Sequence, residues 1–145
     1  MSKRRVVITG MGIISPVGNT VSESWNNIIN GNSGVSPITK FDTKDFETKF
    51  AATVNLNPEE YLDKKEIRRV DEFIQFGLIA SDQCVIDSGL NLDLEDLNRI
   101  GVSIGSGIGG LGTIEENKLL LDTKGPKRIS PFFVPGAISN MVSGY

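Results

Sequence analysis

From residue 66 to residue 87, Ile67, Val70, Phe73, Ile74, Leu78, Cys84 and Val85 recur at the spacing of one helical face. A stripe this broad cannot lie bare in water, and a sheet is the layer that covers it. Gly89 supplies the stop. Strands are therefore sought on either side. Val6, Val7 and Ile8 make a continuous apolar run that reads as a buried strand, broken by a turn rich in Gly10, Gly12, Pro16 and Gly18. Asn19 or Thr20 caps the next helix, with Thr20 and Glu23 spaced as a capping box. Val21, Trp25, Ile28 and Ile29 then mark its apolar face, and Gly31 its end. Residues 32–63 read as loops with a short strand at 49–54. A second strand is predicted at 99–104 and leads into a glycine cluster. Thr113 and Glu116 repeat the capping-box spacing ahead of Ile114, Leu120 and Leu121, in a helix that stops near Gly125. This alternation predicts an α/β layered domain around a largely buried sheet.

Composition narrows the chemistry. The 145 residues are enough for one domain with a core. With a net charge of −3, nothing global points to nucleic acid or to a membrane surface, so a basic site has to be local. No apolar run reaches the roughly 18–20 residues of a spanning helix, and MSKRRVVITG has no cleavable leader pattern, so a cytosolic protein is expected. The single cysteine, Cys84, allows no internal disulfide and falls on the apolar stripe, where a core role is expected. There is no histidine, which removes the commonest proton carrier and zinc ligand. Asp93, Glu95 and Asp96 of LDLEDL read as a solvated turn, so no metal site is expected. The last stretch, PFFVPGAISNMVSGY, carries no charge after Arg128, and few strands are visible. The chain is accordingly expected to be the N-terminal part of something longer.

Gly105, Gly107 and Gly110 in IGSGIGGLGTIEEN have the G-x-G-x-x-G spacing of a dinucleotide loop, between a predicted strand and a predicted helix. The acid that would bind the ribose about 20 residues on is absent, since KRISPFFVP stands there. The lysine of a P-loop is absent too, because Leu111 and Gly112 follow the glycines. Close packing and positive φ at a strand-to-helix turn are the simpler expectation. Two basic clusters remain. Lys64, Lys65, Arg68 and Arg69 fall at the start of the long predicted helix, where the macrodipole opposes them, and Lys124, Lys127 and Arg128 fall in a turn. Both are compatible with plain solvated faces, with an acidic protein partner or with a phosphate-bearing ligand.

VVITGMGIISPVGN at 6–19, IGSGIGGLGTIEEN at 104–117 and ISPFFVP at 129–135, in that order, resemble the N-terminal part of a β-ketoacyl-acyl-carrier-protein synthase, the type II elongating enzyme in particular. The likeness runs from Lys3 to Tyr145. It implies a thiolase-like fold of five layers, α-β-α-β-α, in two similar halves, with this chain covering only part of the N-terminal half, and a homodimer. The implied domain, 1–145, is a partial synthase domain that stops before the nucleophile.

The implied reaction is fatty-acid elongation by decarboxylative condensation. An acyl group is held on an active-site cysteine, malonyl-carrier protein loses carbon dioxide, and the resulting carbanion attacks the acyl thioester and expels the cysteine thiolate. The family's nucleophile, two histidines and a lysine match no residue of this chain, and Cys84 does not fit the nucleophile's motif, so no catalytic residue is expected within it. No cofactor is implied. By position, Lys65, Arg68, Arg69, Lys127 and Arg128 match residues that dock the acidic acyl carrier protein. Ile108 matches a residue gating the acyl pocket, and Phe133 one lining it across the dimer interface. The alternatives are a non-catalytic thiolase-like partner such as a chain-length factor and, more distantly, a nucleotide-binding module.

Overall fold

The computed structural model describes residues 4–145; Lys3, where the likeness begins, lies outside the described residues. The first helix, α1 (Val21–Ile29), forms where the sequence places it. Thr20 Oγ1 accepts from the Glu23 N–H at 3.2 Å, and the Glu23 carboxylate reaches back to the Asn19 N–H at 2.7 Å. Two groups that the helix itself leaves unbonded are thus satisfied. A two-stranded antiparallel sheet follows, β1 (Val35–Pro37) against β2 (Phe50–Ala52), with Ser36 opposite Ala51. The strand expected at 49–54 is β2; β1 has no alternating pattern and was not foreseen.

The long predicted helix is two helices. A single turn, α2 (Lys64–Ile67), ends at Arg68, and α3 (Glu72–Ser88) starts after Asp71, whose extended backbone (φ −66°, ψ 159°) interrupts the ladder. The stripe continues through the break because Val70 stays buried beside Ile74. Carbonyls freed there are taken up by Gln75, itself buried, whose amide donates to Ile67 O at 3.3 Å and Val70 O at 3.1 Å. Periodicity alone cannot reveal such a break. It also overturns the macrodipole argument, because Lys64 and Lys65 belong to a one-turn helix and Arg68 and Arg69 lie beyond its end.

Further on, α4 (Leu111–Lys124) stops at Gly125 as expected, and a 3-10 turn at Pro126–Arg128 leads to α5 (Phe133–Ala137). The second capping box does not form. The helix begins at Leu111, two residues before Thr113, after Gly110, which has no side chain to cap it. A small core gathers where the C-terminal segment folds back: Val142 packs with Val70 and Ile74, flanked by Phe73, Leu78, Ile104 and Met141.

Neither of the two apolar strands predicted at 6–8 and 99–104 joins a ladder among the described residues. Val6 is 94% exposed and Ile8 84%. Residues 10–13 are instead strapped along α3 by its side chains: Asp87 accepts from the Met11 N–H at 2.9 Å, Gln83 from the Ile13 N–H at 3.2 Å, and Cys84 Sγ donates to Gly10 O. Gly12 makes this approach possible, since a Cβ there would lie on the Ala80 carbonyl of α3 and 3.0 Å from the Cys84 nitrogen. Near residue 104, besides the packing of Ile104 against the core, the Ser143 hydroxyl accepts from the Ile104 N–H at 2.9 Å. Trp25 and Ile28 of α1, both more than half exposed, line an open groove of about 600 Å³ against α3. In total the chain exposes 11398 Å², against roughly 7,300 Å² for a compact monomer of 15.7 kDa. The layer that the apolar stripes demand is not supplied by these residues.

Candidate functional site

Arg68 and Arg69 of the first basic cluster, together with Glu116, line a cleft of about 330 Å³. One wall is the corner between α2 and α3, with Arg68 and Arg69; the other is the segment after the Pro126–Arg128 turn, with Ser130 and Phe132. The Arg69 guanidinium lies over the Phe132 ring, 5.0 Å from its centroid. Lys65, Arg68, Arg69, Lys127 and Arg128 are all exposed, and none of the five forms an ion pair among the described residues. Lys64 differs, being paired with Glu59 at 3.0 Å. Unpaired cations on one wall of the cleft, with Lys127 and Arg128 in the turn that leads to the other, attract an anionic partner and steer its approach.

Asn117 holds the second wall in place. It is buried on α4, donating to Thr113 O at 2.8 Å and accepting from the Ser130 N–H at 3.0 Å. Its importance was not visible in the sequence, where a polar residue in the run Glu115-Glu116-Asn117-Lys118 reads as surface.

Ile108 stands on the glycine loop and is 70% exposed; Phe133 opens α5 and is half-buried. The elements carrying them touch, since the Gly110 N–H donates to Ala137 O at 2.9 Å. Gly109, at φ +87°, passes so close to that carbonyl that no side chain fits. The outer glycines of the motif behave otherwise: a Cβ at Gly105 or Gly107 would meet nothing within 4 Å. Close packing therefore belongs to Gly109 and Gly110, not to the whole G-x-G-x-x-G.

A phosphate at this turn would need the N–H groups that open α4. The Thr113 N–H is already taken by the Asp71 carboxylate at 2.8 Å, so the helix start faces the protein's own negative charge. Among the described residues no group of three or more His, Cys, Asp or Glu side chains is placed to hold a metal, and no helix is long and apolar enough to cross a membrane. Cys84 is half-buried on α3.

Residues 3–145 match the family described as "Beta-ketoacyl synthase, N-terminal domain". The chain belongs to the β-ketoacyl synthase family. Within this family it is 53% identical over 145 residues, 99% of its length, to the 3-oxoacyl-[acyl-carrier-protein] synthase 2 of Vibrio cholerae. It spans only 35% of that relative. Its fold is that of solved ketosynthases, which are thiolase-like. One is a type II polyketide ketosynthase bound to a hexaketide and in complex with its acyl-carrier protein, with TM-score 0.75 and 27% identity over 98% of this chain and 37% of that one. Another is the ishigamide ketosynthase/chain length factor, with TM-score 0.78 and 26% identity over 97% of this chain and 36% of that one. The synthase chain thus keeps the family's backbone path even where its two apolar strands have no ladder partner.

Proposed function

We propose that this chain is the N-terminal part of a type II condensing enzyme that elongates fatty acids by decarboxylative condensation of malonyl-acyl-carrier protein with an acyl-enzyme thioester. The observation that carries this reading is the end-to-end match, at about half identity, to a synthase 2. The nucleophile and its proton-handling partners then lie outside residues 1–145. Lys65, Arg68, Arg69, Lys127 and Arg128 dock the acyl carrier protein, a role supported by their exposure and by the absence of ion pairs to them among the described residues. Ile108 gates the acyl pocket and Phe133 lines it across the interface of a homodimer. The stiff χ1 of a β-branched side chain suits a gate, because it moves between few discrete rotamers. The enzyme works in the cytoplasm, where Cys84 stays reduced. A non-catalytic chain-length factor is the weaker reading, since the ketosynthase/chain length factor is 26% identical against 53% for the synthase 2.

The test is a hybrid enzyme in which this chain replaces the matching third of the Vibrio cholerae synthase. Elongation of acyl-carrier protein by malonyl-carrier protein is expected; a folded hybrid that releases no carbon dioxide, beside an active parent, would overturn the reading. In that hybrid Ile108→Phe is expected to suppress turnover of the longest acyl chains about tenfold or more while leaving short ones near the unmodified rate. A chain-length profile that does not change removes Ile108 from the pocket.

A further inference from the structure

Asp71 joins the basic corner to the start of α4, which continues from the loop bearing Ile108. As N-cap of α3, its Oδ1 accepts from the Phe73 N–H at 3.4 Å. Its Oδ2 accepts from the Thr113 N–H in the first turn of α4 at 2.8 Å, 42 residues away in sequence. One carboxylate therefore holds the N-termini of two helices, and both positive helix ends favour its charge. It follows Arg69 by two residues on one side, and α4 continues directly from the glycine loop on the other.

The surroundings leave this connection stiff. A Cβ on Gly110 would lie 3.0 Å from Asp71 Cβ, and one on Gly136 3.3 Å from Arg69 O, so loop base, α5 and docking corner are in direct contact. The loop itself is pinned at both ends and free in the middle. Ser143 holds Ile104, Ser106 Oγ accepts from the Gly109 N–H at 3.0 Å, and Gly110 is tied to Ala137, whereas open space surrounds Gly105 and Gly107. A displacement of the corner by a partner seated on Arg68 and Arg69 is passed through a rigid carboxylate to the α4 end of a loop that has room to respond.

We infer that Asp71 is a positioning residue that couples occupancy of the Arg68–Arg69 corner to the placement of the Ile108 loop. This rests on the proposed docking of the acyl carrier protein. The coupling is a free energy shared between two sites, so it shows in both. If docking has to shift the loop, cutting the link relieves docking of that task.

The discriminating variant is Asp71→Asn in the hybrid enzyme. Asparagine matches aspartate in shape and as an N-cap, but it carries one amide oxygen, so only one of the two N–H groups keeps an acceptor. Asp71→Ser, which keeps the α3 cap and is too short to reach Thr113, is the second variant should the first not fold. Hydrogen exchange of residues 105–113 is followed with and without acyl carrier protein, together with the carrier affinity and the rates on carrier-borne and small thioesters. The expected result is an exchange response in the unmodified enzyme that disappears in the variant. Carrier affinity stays equal or tighter, kcat/KM on carrier-borne acyl groups falls at least about fivefold, and small-thioester rates hold. A merely structural role would lower both rates together. An equal exchange response in both proteins overturns the coupling and leaves docking standing. Absence of carrier binding by the unmodified hybrid removes the docking reading, and the coupling with it.

Discussion

Replacing Arg68 and Lys127 together by glutamate in the hybrid enzyme is expected to weaken its affinity for the acyl carrier protein on the order of 30-fold, roughly 2 kcal/mol. The size follows from where the two residues sit. Arg68 lines one wall of the cleft and Lys127 lies in the turn that precedes the other, so the double reversal turns attraction into repulsion on both sides of the docking partner. Neither residue is ion-paired among the described residues, so no internal partner is orphaned by the change and the fold is spared. Both are exposed, so the effect is screened: the loss is largest at low salt, and the affinity of the variant depends on salt less steeply than that of its parent. Titration calorimetry at low and high salt measures this, with acylation by a small thioester as the control. Equal losses on both substrates would place the damage in the active site and not in docking.

The second expected result concerns the 145-residue polypeptide expressed by itself. It is predicted to bind ANS strongly and to associate in solution. Its accessible area exceeds that of a compact monomer by about 4,000 Å², several times the largest apolar patch of a typical monomer. The excess is apolar where it matters: Val6, Val7 and Ile8 on an unpaired extended segment, and Trp25 and Ile28 over the open groove against α3. Unpaired backbone beside apolar side chains recruits further strands. In the hybrid enzyme the same residues are expected to be silent to ANS. A monodisperse, ANS-negative 145-residue monomer would show that these residues close their own core in solution.

The same contrast explains which elements could be read from the chain. Helix boundaries are local chemistry. Thr20 and Glu23 announce α1, and Gly31, Gly89 and Gly125 follow the ends of α1, α3 and α4, because a cap is settled within a few residues. The strands were legible as apolar runs but not as a sheet, because pairing depends on residues far away in sequence, and the described residues offer the segments at 6–8 and 99–104 no partner. The helix break before α3 was hidden because Val70, Phe73 and Ile74 keep facing the core across it. What permits it is a single buried amide, Gln75, answering two stranded carbonyls.

By itself the sequence determined α1, the glycine stops of α1, α3 and α4, the absence of histidine and of any disulfide, the failure of the nucleotide motif, and three motifs in order that place the chain among the β-ketoacyl synthases. Tertiary structure alone decided that the long helix breaks before Asp71, that the cleft beside Arg68 and Arg69 is closed by Ser130 and Phe132, that Gly109 and Gly110 are the packed glycines while Gly105 and Gly107 stand free, and that Asp71 caps α4 in place of a box at Thr113. The physical reason is separation along the chain. Propensity and capping act over a few residues, whereas a carboxylate that serves a helix 42 positions away leaves no periodic trace.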